Sequence, residues 1–338
     1  MTTSVEPKGH SGAARSVRSL SGRMRWSVVL LILYLAVIFA IQPAFFLPSN
    51  LSALVYYTCL LMPAVLGVHV LIVLGLFDLS VGATAAMAGV IAANAMVHGL
   101  PIGIGVFLAI GAAVAFGALN WLLVVQLRIS ALIATFITLG VAEALSLAIT
   151  EGQAIAGLPT SFGRIAVGST LTSPAIVLGV GSVCALEVLT QRHVLFRRLY
   201  QVGSNPAAAR SGGINVKGVQ LFGFALASGG AAVTGILQSS RTLSASPFVF
   251  TDLALQCIAA CVIGGASLSG GTGRAAGAFF GMLMVVISRN LVVMAGVSVY
   301  WQDLGVSLVL LAAVLLRGAE DDGGTLMPYQ AQSRKGKL

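Results

Sequence analysis

Apolar residues fill ten blocks of this chain, at 26–42, 51–75, 81–98, 101–126, 129–149, 174–190, 218–239, 252–266, 275–296 and 302–316. Most approach the roughly 20 residues that a helix needs to cross the hydrocarbon of a bilayer. The period-two alternation of a membrane barrel is absent. Backbone groups in lipid must be paired within a helix or a closed barrel, so the pattern predicts an all-α membrane protein, a polytopic bundle of about ten transmembrane helices. The block at 252–266 is short enough for a broken or re-entrant helix.

Composition agrees with that reading. The 338 residues are 57% hydrophobic and 9% charged, with a mean hydropathy of +0.98, whereas soluble domains are usually about 25% charged. With both termini cytoplasmic, sixteen of the nineteen Lys and Arg residues fall on the inner side; only Arg164, Arg241 and Arg289 fall elsewhere. This positive-inside bias accounts for the net charge of +9 and leaves no reason to expect a nucleic-acid partner. The chain is expected to divide into a disordered basic cytoplasmic tail over 1–25, a transmembrane domain over 26–317 and a cytoplasmic tail over 318–338. The apolar run after the basic tail lacks a small-residue cleavage site and reads as an uncleaved first span.

Catalytic and cofactor chemistry finds little support. Cys59, Cys184, Cys257 and Cys261 all lie inside predicted spans without a CxxC pair, and Cys257 and Cys261 share a helix face with no His or carboxylate beside them. Small packing residues are the better reading. The only Gly-Lys pair, Gly336-Lys337, precedes the terminal Leu338, so the phosphate loop of an ATPase is missing. Neither an enzyme nor a cofactor or metal site is expected.

Two intervals break the apolar pattern. The outer one, about Thr150 to Ser173, is an ordinary Gly-, Thr- and Ser-rich connection. The inner one, 191–217, contains GSNPAAARSGGINVKG. There Ser204 or Asn205 can cap a short helix, Pro206 suits its first position, Ala207 to Ala209 make a small smooth face, and Gly212-Gly213 end it. Such a helix is either a solvated connector or a surface for a soluble partner. VLGLFDLSVG at 73–82 and VIGGASLSGG at 262–271 form a weak internal echo, and both sit where a span turns back on the inner side. Gly273, Gly277 and Gly281 repeat every four residues, as close helix packing requires.

The run Gly203, Asn205, Ala207, Ala208, Arg210, Gly212 or Gly213, Ile214 and Asn215 resembles the cytoplasmic coupling segment of ribose-type sugar permease subunits of bacterial ABC importers. FDLSVGA at 77–83, LIATFITLG at 132–140 and VIGGASLSGGTGRAAGAFFG at 262–281 are similar to further motifs of that family, in the same order, and the likeness spans about 45–317. The resemblance implies a bacterial inner-membrane permease that imports a monosaccharide or sugar-like solute. Its implied partners are a second permease chain, ATP-binding subunits inside and a periplasmic binding protein outside. By the same resemblance Gly203, Asn205, Pro206, Ala207, Ala208, Arg210, Gly212 and Ile214 would dock the ATPase.

The chain departs from the family pattern in ways that mark candidate residues. Glu143 follows the shortened TLG element, Ala254 and Gln256 replace two acids, and Arg289-Asn290 adds a cation within a span. Intramembrane polar groups are costly and often functional. Asn120, Glu143, Gln256, Arg289 and Asn290 are therefore substrate-path candidates, with a Glu143–Arg289 pair or an outward-snorkelling Arg289 as structural alternatives. Asp78 is expected to cap the helix after it, and Glu187 to pair with Arg192. Competing functions are a permease for branched-chain amino acids or another small solute, and an ion-coupled secondary transporter built on Glu143. The chain is alternatively the less active half of a heterodimer.

Overall fold

The computed structural model describes residues 42–168, 172–296, 298 and 301. A 3₁₀ turn at Pro43–Phe46 leads into α1 (Pro48–Val73), followed by α2 (Val81–Val97), α3 (Ile102–Trp121, extended by a π turn at Leu122–Gln126) and α4 (Ala131–Thr150). After the short α5 (Thr160–Gly163) come α6 (Pro174–Arg192), α7 (Val194–Ser204), α8 (Pro206–Ser211), α9 (Val216–Thr242), α10 (Leu253–Ile263) and α11 (Ala275–Met294). No strand occurs among the described residues, only an isolated bridge between Ile155 and Ala245.

Eight of the ten expected spans fall on described helices, and six of those are long and apolar enough to cross a membrane. The other two, α2 with 17 residues and α10 with 11, are shorter. The 302–316 block, the 26–42 block apart from residue 42, and both tails lie outside the described residues.

The bundle is organised around α1 and α9. Helix α9 packs on α1, α2 and α3, while α1 also meets α6, α10 and α11. Where these helices cross, backbones come close enough to exclude side chains: Gly67 abuts Ala227, and Gly235 abuts the Ala85 carbonyl. In lipid such small-residue contact supplies dispersion energy that apolar burial cannot. Pro63 interrupts α1, and the adjoining backbone rung is filled from α9. The Thr234 hydroxyl accepts from the Ala64 N–H at 3.1 Å and donates to the Leu60 carbonyl at 3.3 Å. Substitute partners of this kind let proline persist inside a membrane helix.

Helices α3, α4 and α6 leave broad apolar faces outside, including Phe107, Phe136 and Val177. The Gly277–Gly281 repeat predicted from spacing makes the α10–α11 contact, Gly277 against Gly264 and Gly281 against the Ala260 carbonyl.

Candidate functional site

Three groups of polar or special residues stand out: one at the basic end of the bundle, one buried between α2, α3 and α4, and one lining a cavity at the opposite end.

At the basic end, α7 and α8 hang beneath the bundle. Leu199 and Val202 of α7 are buried against the core. The next residues change direction at Asn205, whose side chain accepts from the amides of Ala207 and Ala208 at 3.1 and 3.0 Å while Pro206 occupies the first position of α8. Gly212 is the C-cap, and Gly213 follows with a φ of +79°, a left-handed value that favours glycine. The cap, start and stop read from the sequence are thus in place, with Asn205 rather than Ser204 as the cap. One detail differs: Ala209 turns inward and is buried, so the exposed face is Ala207, Ala208 and Arg210. Asn205, Pro206 and Gly212 are exposed with them, whereas Gly203 and Ile214 are half-buried.

Gly203 is where α7 touches the α1–α2 and α10–α11 turns. A side chain there would overlap the Val73 carbonyl at the end of α1, and the same carbonyl accepts from the Gly271 amide at 2.8 Å. Gly75 of the α1–α2 turn lies beside Ser269 and Gly270 of the α10–α11 turn. The two echoing sequences therefore meet each other and α7 at one junction. Nearby, the Tyr200 hydroxyl donates to the Gly273 carbonyl at 3.0 Å. Burial, reinforced by the Glu187 carboxylate and opposed by Arg274, raises the pKa of that hydroxyl to about 12, so it stays a neutral donor. Glu187 pairs with Arg274 at 2.6 Å instead of with Arg192 as expected, because Arg274 approaches from the neighbouring turn while Arg192 is exposed.

The second group is buried between α2, α3 and α4. Asp78 Oδ1 accepts from the Ser80 amide at 2.8 Å and the Ser80 hydroxyl at 2.6 Å. The Asn120 amide donates to Asp78 Oδ2 at 3.1 Å and to the Ser80 hydroxyl at 2.9 Å, and Asn120 Oδ1 accepts from Thr138 at 2.6 Å. Asp78 thus does not cap α2 as expected. It folds back on Ser80 and ties the turn to α3, since the amides of α2's first turn are not its partners. Asn120, expected on the path, is the hub of this network and only 1% exposed.

The third group lines a cavity of about 300 Å³ at the opposite end, between α1, α9, α10 and α11. It brings together three of the five path candidates, Gln256, Arg289 and Asn290, with Tyr57 and Arg241. Arg289 donates to Asp252 Oδ2 at 3.1 Å, and Gln256 Nε2 donates to the same oxygen. This ion pair replaces the Glu143–Arg289 pair weighed from the sequence; Glu143 instead lines a narrow cleft with Leu139, Pro247 and Phe250. Asn290 exchanges two hydrogen bonds with Asn50, at 3.0 and 3.1 Å. Sequence reasoning missed Tyr57, Arg241 and Asp252. Arg241 and Arg289 did carry a signal, as two of the three cations outside the positive-inside distribution. Among the described residues no three His, Cys, Asp or Glu side chains gather as a metal site.

Comparison with known proteins places this architecture. Residues 50–315 match the family described as branched-chain amino acid transport system / permease component. A probable ABC transporter permease protein of Sinorhizobium fredii is 36% identical over 253 residues, covering 74% of this chain and 76% of its own. The ribose import permease of Escherichia coli strain K12 is 31% identical over 86% of this chain and 92% of its own. The autoinducer 2 import system permease of an Enterobacter species is 33% identical over 83% of this chain and 82% of its own. No solved structure matches. The family match spans nearly all of the described helices, and this chain belongs to the permease-component family of transport systems.

Proposed function

We propose that the chain is the membrane-spanning subunit of an ATP-driven importer in a bacterial inner membrane, moving a monosaccharide or a sugar-like solute. The observation that carries this reading is α8. A capped, exposed helix with an Ala207–Ala208 face and Arg210 beside it hangs below the bundle, starting three residues beyond the Gly203 junction of the α1–α2 and α10–α11 turns. A soluble ATPase that closes on that face would move α1 and α11 through contacts of backbone on backbone. The basic end is then cytoplasmic, and the cavity lined by Gln256, Arg289 and Asn290 faces the periplasm, where a binding protein delivers solute.

The sugar class is supported by the relatives, two of which are named for ribose and for autoinducer 2. Their extent across both chains favours a sugar over a branched-chain amino acid. A second permease chain completes the path, and ATP hydrolysis resides in the partner subunit.

The test is uptake of labelled pentoses and hexoses into vesicles that contain this chain, its ATPase and its binding protein. ATP-dependent uptake that survives collapse of the proton gradient is expected. Uptake that ignores ATP and disappears with the gradient would replace this reading by ion-coupled transport.

A further inference from the structure

Arg241 and Arg289, two of the three cations left over by the positive-inside distribution, meet at the outer cavity. They are held differently. Arg289 is bonded to Asp252, and the accepting oxygen also takes Gln256. The guanidinium of Arg241 lies over the rings of Tyr56 and Tyr57, 5.3 and 5.6 Å from their centroids. Among the described residues no oxygen accepts from its N–H groups.

Stacking engages the faces of a guanidinium and leaves the planar fork of donors at its edge available. Among the described residues the guanidinium groups of Arg241 and Arg289 both line the cavity, and the Asp252 carboxylate pairs with Arg289. The wall residues Ala53, Leu54, Val285, Val286 and Val293 are apolar. A volume of about 300 Å³ lies at the lower end for small-molecule sites and suits a solute of monosaccharide size. A neutral polyol would be served by Gln256, Asn290 and Tyr57 alone, whereas the donor fork of Arg241 matches the two oxygens of a carboxylate.

We propose that the outer cavity is a binding subsite for a polyhydroxylated carboxylate, a sugar acid in place of a neutral sugar. The Arg241 fork receives the carboxylate through two parallel N–H donors, and Gln256 and Asn290 face the hydroxyl groups. The proposal rests on the importer reading for its transport role, but binding can be measured without it.

The full-length chain is placed in phosphatidylcholine nanodiscs and its thermal midpoint is followed with gluconate against glucose, ribonate against ribose, and inorganic phosphate. At least one sugar acid is expected to raise the midpoint while its parent sugar does not. Arg241→Gln should weaken that apparent affinity about tenfold or more, with Arg241→Lys between, since a lysine keeps the charge and loses the fork. Arg241→Lys also serves as the test if Arg241→Gln does not fold. Equal shifts from acid and parent sugar, no shift from any probe, or a sugar-acid shift indifferent to both variants would overturn the subsite. A shift from phosphate alone, or one obtained only by adding phosphatidylglycerol, would reassign Arg241 to a phosphate or a lipid headgroup and overturn it too. ATP-driven uptake is read separately. Sugar-acid binding with ATP-independent uptake keeps the subsite and removes the importer reading, whereas ATP-driven uptake of neutral sugars unaffected by Arg241→Gln does the reverse.

Discussion

Gly271 donates its amide proton to the carbonyl of Val73 at 2.8 Å, which pins the α10–α11 turn to the end of α1. Gly203, at the end of α7, lies against that same carbonyl. Two turns distant in sequence and the helix leading to α8 therefore share one oxygen. No side chain stands between them, so displacement of α8 reaches α1 and α11 without the slack that rotamer changes would allow.

Gly203→Val should break this junction. The added atoms meet a backbone carbonyl that cannot rotate away, and overpacking of this kind costs about 1–3 kcal/mol. A lowered thermal midpoint of the purified protein is expected, together with loss of ATP-driven uptake. Gly212→Ala is the control for the midpoint, because its new methyl would meet neighbours at 3.5 Å, an ordinary contact. An unchanged midpoint in Gly203→Val would contradict the packing described.

Asn120→Leu removes the hub of the buried network and leaves Asp78 Oδ2 without its partner, while the Thr138 hydroxyl keeps only the Thr135 carbonyl at 3.2 Å. Stranded buried groups cost about 1–3 kcal/mol. Denaturation in detergent should show that loss, and combining Asn120→Leu with Asp78→Asn should cost less than the two changes summed. A transport defect with full stability would instead place Asn120 on the path.

On α8 the expected effects are separable. Ala208→Glu puts a charged side chain on the exposed face and should leave insertion and midpoint intact while abolishing co-purification with the ATPase. Asn205→Ala removes the acceptor of two amides and should cost about 1 kcal/mol of local helix stability, with weakened association. Normal association of Ala208→Glu would count against docking on this face.

The Glu187–Arg274 pair is partly exposed, at 22% and 41% of the two side chains, so solvent screens it. A double-mutant cycle on Glu187→Gln and Arg274→Gln should give a coupling of about 1 kcal/mol that shrinks with added salt. The cycle between Glu187→Gln and Arg192→Gln should give none.

Much of the architecture was legible in advance. The helices from α1 to α11 that coincide with predicted spans do so because the length of an apolar block is a local property that the bilayer reads directly. The α8 cap and stop were equally local, since Asn205, Pro206 and Gly213 act within one turn of chain. Gln256, Arg289 and Asn290 were visible as polar residues in apolar blocks, but Asp252 and Tyr57 were not, because a block boundary and an aromatic residue are unremarkable until something packs against them.

The sequence by itself therefore determined that this chain is a helical membrane protein, the order of its elements, its basic side and the short capped helix there. Each of these depends on hydrophobic length, net charge or contacts a few residues apart. Only the tertiary structure decided that Arg289 joins Asp252 and not Glu143, that Glu187 joins Arg274 and not Arg192, and that the two Gly-Ser turns touch beneath Gly203. An ion pair forms with whichever opposite charge the packing brings within reach, and the nearest charge along the chain can lie on the wrong face or on another helix.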